Sequence, residues 1–79
     1  MIIDPKVWQD ISTQTVRTYQ YPNGFQFNVA QPKLLNIQNS SLGGHAHRIQ
    51  TEDGTGVYVA PGWVAIYWKV KEGEPLFKF

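Results

Sequence analysis

The sequence predicts one small all-β domain: a six- to seven-stranded antiparallel barrel or sandwich with a short N-terminal helix or arm. Short segments of alternating apolar and polar residues recur about every ten residues, and clusters of Gly, Pro and Asn separate them. Eleven aromatic residues in 79 supply a compact core. We expect residues 1–79 to form a single β domain, with the arm or helix at 1–15 and the strands at 16–79.

Residues 4–11 contain the only helical candidate. Asp4 suits an N-cap and Pro5 suits the first position of a helix. Only two turns fit before the following Ser-Thr pair. We therefore expect a short helix or a structured arm, with Trp8 and Ile11 packed on the sheet.

The first hairpin has two conceivable registers around Pro22-Asn23-Gly24. A two-residue Asn-Gly loop would require Pro22 to donate a hydrogen bond, which proline cannot do. A type I turn with Gly24 left-handed avoids this problem and gathers the aromatic side chains on one face. We predict the second register, which pairs Tyr21 with Phe25, Tyr19 with Phe27 and Arg17 with Val29.

Strands are also predicted at 33–38, 45–51, 57–60 and 63–70, and residues 76–79 close the chain. Leu35 and Ile37 are expected on one face of the first of these. If the third and fourth pair tightly across Pro61-Gly62, Val59 meets Val64 and Val57 meets Ile66. That arrangement assigns these residues to the core: Val57, Val59, Val64, Ile66, Trp68 and Val70.

The histidine pair His45-Ala46-His47 is the sharpest chemical feature. On a strand, residues two apart point to the same side, so both imidazoles could hold one metal ion. Glu52 or Asp53 in the following turn could add a carboxylate. Two histidines and a carboxylate suit a divalent transition metal such as iron, zinc or manganese. The alternative interpretation is two solvated histidines on an edge strand.

The order His-x-His-x4-Glu with nearby glycines, over residues 43–62, resembles the first motif of the cupin family. The resemblance implies a β-barrel that often binds metal. Asn39 and Val59 stand where the cupin pattern has its leading and trailing glycines, and no later histidine supplies the ligand of the second motif. No cupin function is therefore assigned.

A second candidate site is the face of the last long strand that is expected to point outward. Aromatic residues interleaved with lysines can stack on sugar rings or on bases, and they are also common at subunit interfaces. Two terminal phenylalanines suggest a strand end that is pinned to a partner. The candidate interface or ligand residues are Trp63, Tyr67, Lys69, Lys71, Phe77 and Phe79, with Ala65 on the same face.

Composition narrows the function classes. The net charge of +1 argues against a protein that binds nucleic acid mainly through phosphates, and the absence of cysteine excludes disulfides. No nucleophile-elbow pattern surrounds Ser40 or Ser41. No signal peptide or membrane-spanning run is visible, so a cytoplasmic location is the default expectation.

Together these features favour a non-enzymatic module that acts by contact with copies of itself or with another protein. A viral or phage structural or accessory protein has a similar profile, by analogy. The alternatives are a metal-binding protein or metal-dependent enzyme using His45, His47 and Glu52, and a module that binds carbohydrate or single-stranded nucleic acid. No cofactor is expected in the leading interpretation, and nucleic acid and membrane are not its expected partners.

Overall fold

A computed structural model describes residues 7–39 and 43–77 and shows seven strands in two antiparallel sheets. No helix occurs in these ranges. The strands are β1 Gln9–Asp10, β2 Gln14–Gln20, β3 Gln26–Ala30, β4 Pro32–Asn39, β5 His45–Thr51, β6 Gly56–Val59 and β7 Ala65–Val70.

The four-stranded sheet has the order β1-β4-β5-β6 and the three-stranded sheet has the order β3-β2-β7. Among the described strands no ladder joins one sheet to the other, so the all-β prediction is confirmed as two facing sheets that do not close into a barrel. Both sheets contribute to one buried core, which consists of Ile11, Tyr19, Val29, Leu35, Ile49 and Val59.

The first hairpin has the predicted bulged turn. Gly24 adopts a φ of 87°, and its N–H donates to the Tyr21 carbonyl over 3.0 Å. The Tyr21 N–H donates to the Phe25 carbonyl over 2.9 Å, and Tyr19 pairs with Phe27. Proline in the turn excludes the shorter loop, and the resulting register places the aromatic residues on one face.

A single residue carries the chain from β3 in one sheet to β4 in the other. Gln31 has a φ of 49°, a left-handed conformation that is uncommon for residues other than glycine. Its N–H donates to the Thr15 carbonyl over 2.9 Å, and its carbonyl accepts the Glu52 N–H over 3.0 Å. These two bonds hold the corner against both sheets.

The predicted pairing of segments 57–60 and 63–70 is wrong. β6 pairs with β5 and β7 pairs with β2, so the intervening residues cross from one sheet to the other. Strand alternation does not continue through this crossing. Val64, expected in the core, is consequently 66% exposed, whereas Ile66 packs against the core as predicted.

The N-terminal segment is an arm where the structure describes it. Gln9–Asp10 forms a short strand on β4, and the Asn36 Nδ2 donates to the Val7 carbonyl over 2.9 Å. Ile11 is buried as expected, whereas Trp8, also expected to pack on the sheet, is 40% exposed. The proposed cap and first position of the helix, Asp4 and Pro5, lie outside the described residues.

Membrane-spanning helices are absent from the described part of the chain, where none is long and apolar enough to cross a bilayer.

The corner at Gln31 generates a stability prediction. Replacement by valine, whose branched side chain tolerates a left-handed backbone poorly, should lower the free energy of unfolding by about 1–2 kcal/mol. Replacement by glycine should leave it unchanged or raise it. Urea unfolding of both variants tests this, because the Gln31 side chain is exposed and loses little packing. Equal free energies of unfolding for the valine and glycine variants would contradict the left-handed backbone conformation of Gln31.

Candidate functional site

The predicted metal residues lie along β5 and the turn that follows it. His45 is exposed at the start of the strand, and His47 is buried between the sheets. Glu52 lies beyond the other end of β5, where its carboxylate accepts from the Lys71 ammonium over 3.1 Å. The Asp53 carboxylate accepts from the Thr51 hydroxyl and from the Thr55 N–H within the turn.

The His47 imidazole belongs to a polar chain that crosses the interior. Its Nδ1 lies 2.6 Å from the Tyr19 hydroxyl. The Arg17 Nε donates to that hydroxyl over 2.9 Å, and an Arg17 Nη donates to the Gln14 side-chain carbonyl over 3.3 Å. All four residues are buried, so the chain links the three-stranded sheet to β5 through side chains alone.

A guanidinium can only donate, so the Tyr19 oxygen accepts from Arg17. Among the described residues, the His47 Nδ1 is the group within reach of the Tyr19 hydroxyl proton. We therefore assign this proton to His47 Nδ1 and the ring proton to Nε2. His47 is neutral in this assignment.

Electrostatics agrees with this assignment. Burial lowers the pKa of His47 from 6.5 to about 4, and the charges of Arg17 and His45 act in the same direction. Burial also raises the pKa of the Tyr19 phenol, and the neighbouring Arg17 only partly offsets this effect. Both groups are therefore neutral at physiological pH.

Two aromatic rings, those of Tyr19 and Trp63, pack around the His47 imidazole. The Tyr19 and Trp63 ring centroids lie 5.0 Å apart, and His47 lies 4.6 Å from Trp63 and 5.4 Å from Tyr19. The Trp63 ring therefore packs inward, which corrects the expected outward orientation. The cause is the crossing at Pro61-Gly62, which changes the face of the chain just before β7.

No group of three or more His, Cys, Asp or Glu side chains that could hold a metal ion occurs in residues 7–39 and 43–77. The His47 Nδ1 is hydrogen-bonded to the Tyr19 hydroxyl, and the Glu52 carboxylate forms an ion pair with Lys71. Metal binding by His45, His47 and Glu52 stays a prediction, and these observations do not favour it.

The remaining predicted surface residues are distributed over two places. Tyr67 is 52% exposed, and its hydroxyl donates to the Gln20 side-chain carbonyl over 2.7 Å, with exposed Lys69 on the same face. Phe77 contacts the edge of Trp68, with ring centroids 5.5 Å apart. Phe79 lies outside the described residues.

An apolar groove of about 530 Å³ lies at one seam between the sheets, where β3 and β6 form the two edges. Phe25 is 57% exposed and Tyr58 is 59% exposed. The Tyr21 hydroxyl donates to the Ala60 carbonyl over 2.8 Å and so connects the two sides. We call this opening the aromatic groove; it is lined by Tyr21, Pro22, Asn23, Phe25, Phe27, Tyr58, Val59 and Ala60.

Comparison with protein-family models, with curated proteins and with solved structures finds no match to this chain.

Sequence reasoning missed the buried roles of Gln14, Arg17 and Tyr19 and the aromatic groove. One signal was present: the predicted hairpin register places Arg17 on the otherwise apolar face with Tyr19 and Val29. An arginine on a core-facing position requires polar partners. The groove had no comparable signal, since exposure of Phe25 depends on where the second sheet ends.

The buried His47 makes stability depend on pH. The pKa of His47 is lower in the folded protein than in the unfolded chain. The contribution of the neutral imidazole to the free energy of unfolding is therefore complete above pH 6.5 and declines as the pH falls toward 4. The free energy of unfolding should therefore decrease by about 2 kcal/mol between pH 7 and pH 5. Urea unfolding at a series of pH values measures this dependence.

His45→Gln is the matched control, because its side chain is exposed on the same strand. That variant should keep the pH dependence, whereas His47→Gln should lose most of it. If the free energy of unfolding of His47→Gln depended on pH as strongly as that of the wild type, the pH dependence could not be assigned to His47.

Proposed function

We propose that this protein is a non-enzymatic β-module that acts by contact with a second copy of itself, through the outer edge of β3. The observation that carries the proposal is an uncharged strand edge beside the aromatic groove. Sheet edges with unpaired backbone groups favour pairing with another chain unless charge, proline or a covering segment prevents it.

The ladder geometry identifies the backbone groups on this edge. Tyr21 bonds to Phe25 and Gln31 bonds to Thr15, so every second residue of β3 between these positions bonds toward β2. The alternate residues direct their N–H and C=O groups away from the sheet. These residues are Gln26, Asn28 and Ala30.

The sheet edges differ in whether they contain charged residues and in whether another segment of the chain lies over them. β3 and β6 contain no charged residue and no proline. The edge strand β1 has only two residues, one of them Asp10. β7 contains Lys69, and the chain after it folds back onto Trp68. Of the four edges that the described strands form, only those beside the aromatic groove therefore lack these barriers to pairing.

An antiparallel pairing of β3 with β3 of a second copy, centred on Asn28, fits this edge. Each Asn28 would exchange two backbone hydrogen bonds with the other, and Gln26 of each copy would lie opposite Ala30 of the other. Phe27 of each copy would lie opposite Val29 of the other on the groove side. The two three-stranded sheets would become one of six strands, and a single two-fold axis would relate the copies.

Asn28→Pro tests this proposal against the matched variant Asn28→Ala. Proline removes an N–H that points away from β2, so the ladder inside the protein is retained. Both variants lose the hydrogen bond that the Thr18 hydroxyl donates to the Asn28 side chain. We expect wild type and Asn28→Ala to dimerise and Asn28→Pro to be monomeric in sedimentation velocity, with circular dichroism showing the same fold in each.

A wild-type protein that stays monomeric up to high concentration would overturn self-association. Dimerisation of Asn28→Pro with undiminished affinity would exclude the β3 edge. Phe25→Ser gives an additional measurement, because this exposed side chain lines the groove and its loss should weaken the dimer without unfolding the monomer.

A further inference from the structure

A second opening lies at the opposite seam, between β1 and β4 on one side and β7 with the following segment on the other. It encloses about 320 Å³, at the small end of the range for ligand pockets. Its walls are mainly apolar and include Ile11, Leu35, Ile37 and Val70. This cavity is separate from the aromatic groove.

Arg17 lines this cavity and is 8% exposed. A guanidinium carries five N–H groups, and Arg17 uses one toward Tyr19 and one toward Gln14. In the part of the chain that the structure describes, the other three have no protein acceptor, and no carboxylate forms an ion pair with Arg17. No Arg17 nitrogen in these residues is both enclosed and without a partner, so the unused N–H groups face the open space of the cavity. The guanidinium can therefore donate to an anion bound there.

The side of the cavity beyond Arg17 is held in place by specific contacts. Arg17 lies 5.8 Å from the centre of the Trp68 ring. The Trp68 Nε1 donates to the Leu76 carbonyl over 2.6 Å, and Phe77 packs against the edge of the same ring. The segment 75–77 thereby forms the outer wall of the cavity, while its Leu76 and Phe77 side chains remain more than half exposed.

We propose that this cavity binds a small organic monocarboxylate, whose carboxylate pairs with Arg17 and whose apolar body contacts Trp68 and Leu35. A guanidinium matches the two oxygens of a carboxylate in a bidentate arrangement. Gln14 and Tyr19 occupy two donors of the guanidinium and so fix its orientation. Binding of this ligand is independent of pairing at the β3 edge.

The cavity walls restrict the class of ligand. Apolar side chains make up most of the lining, and they disfavour small, strongly hydrated anions such as phosphate. A carboxylic acid with a ring or a short alkyl chain satisfies this limit and supplies the charge that pairs with Arg17.

Titration of the full chain with benzoate, phenylacetate and hexanoate tests the proposal, with benzamide and inorganic phosphate as controls. Binding is followed by calorimetry and by the NMR shift of the Trp68 indole N–H. We expect saturable binding of at least one carboxylate, a concentration-dependent rise in Tm, and no saturation with either control. Absence of saturation by every carboxylate, or equal binding of benzamide, would overturn the proposal.

Variants locate the site. Arg17→Met removes the guanidinium but keeps an unbranched apolar stem, and it should weaken carboxylate binding at least tenfold. Val70→Phe adds a ring to the cavity wall while keeping the charge, and it should also weaken binding even if Arg17→Met does not fold. Unchanged affinity in Val70→Phe, or in a folded Arg17→Met protein, would place the ligand elsewhere and overturn the assignment.

Discussion

The hydroxyl of Tyr19 is the point on which the two sheets depend. It accepts from Arg17 on its own strand and lies 2.6 Å from the His47 Nδ1 on β5, and its side chain is completely buried. Because a guanidinium cannot accept, the direction of the Arg17–Tyr19 bond is fixed. The sheets therefore meet through a directional polar contact as well as through the apolar core, and the neutral state of His47 is part of the fold.

Much of the three-stranded sheet could be predicted from the sequence. Pro22 excluded one register of the first hairpin, and the aromatic residues selected the other, which the Tyr19–Phe27 pairing confirms. The strand at β7 was also predicted, but its partner was not. The alternating pattern of a strand specifies its two faces and contains no information about which neighbour completes its ladder.

For the candidate sites, too, the sequence predicted the local strand geometry but not the contacts between the two sheets. The spacing of His45 and His47 placed both on one face of a strand, yet it could not show that a tyrosine from the other sheet would engage the second ring. Trp63 was assigned to the surface because alternation was extended through Pro61-Gly62. Local patterns describe a strand, whereas burial depends on where the chain changes sheets.

Charge is distributed unevenly around the two seams. Lysines and acidic residues occur near β1 and β7, and the strands beside the aromatic groove have none. The buried Arg17 faces the first seam and the exposed rings face the second. The two openings therefore differ in chemistry, since a guanidinium lines the first and exposed aromatic rings line the second.

The pairing of β2 with β7 has a consequence for the order in which the protein acquires its structure. β2 begins at Gln14, and its pairing with β7 extends to Val70, so the two strands are joined by most of the chain. The β2–β3 hairpin can form early from local contacts, but the side chains of Arg17 and Tyr19 are enclosed only after β7 has paired with β2. Pairing between strands so far apart in sequence is slow. During synthesis, the hydrogen-bonded side chains between Gln14 and His47 would therefore stay open to water until β7 has left the ribosome.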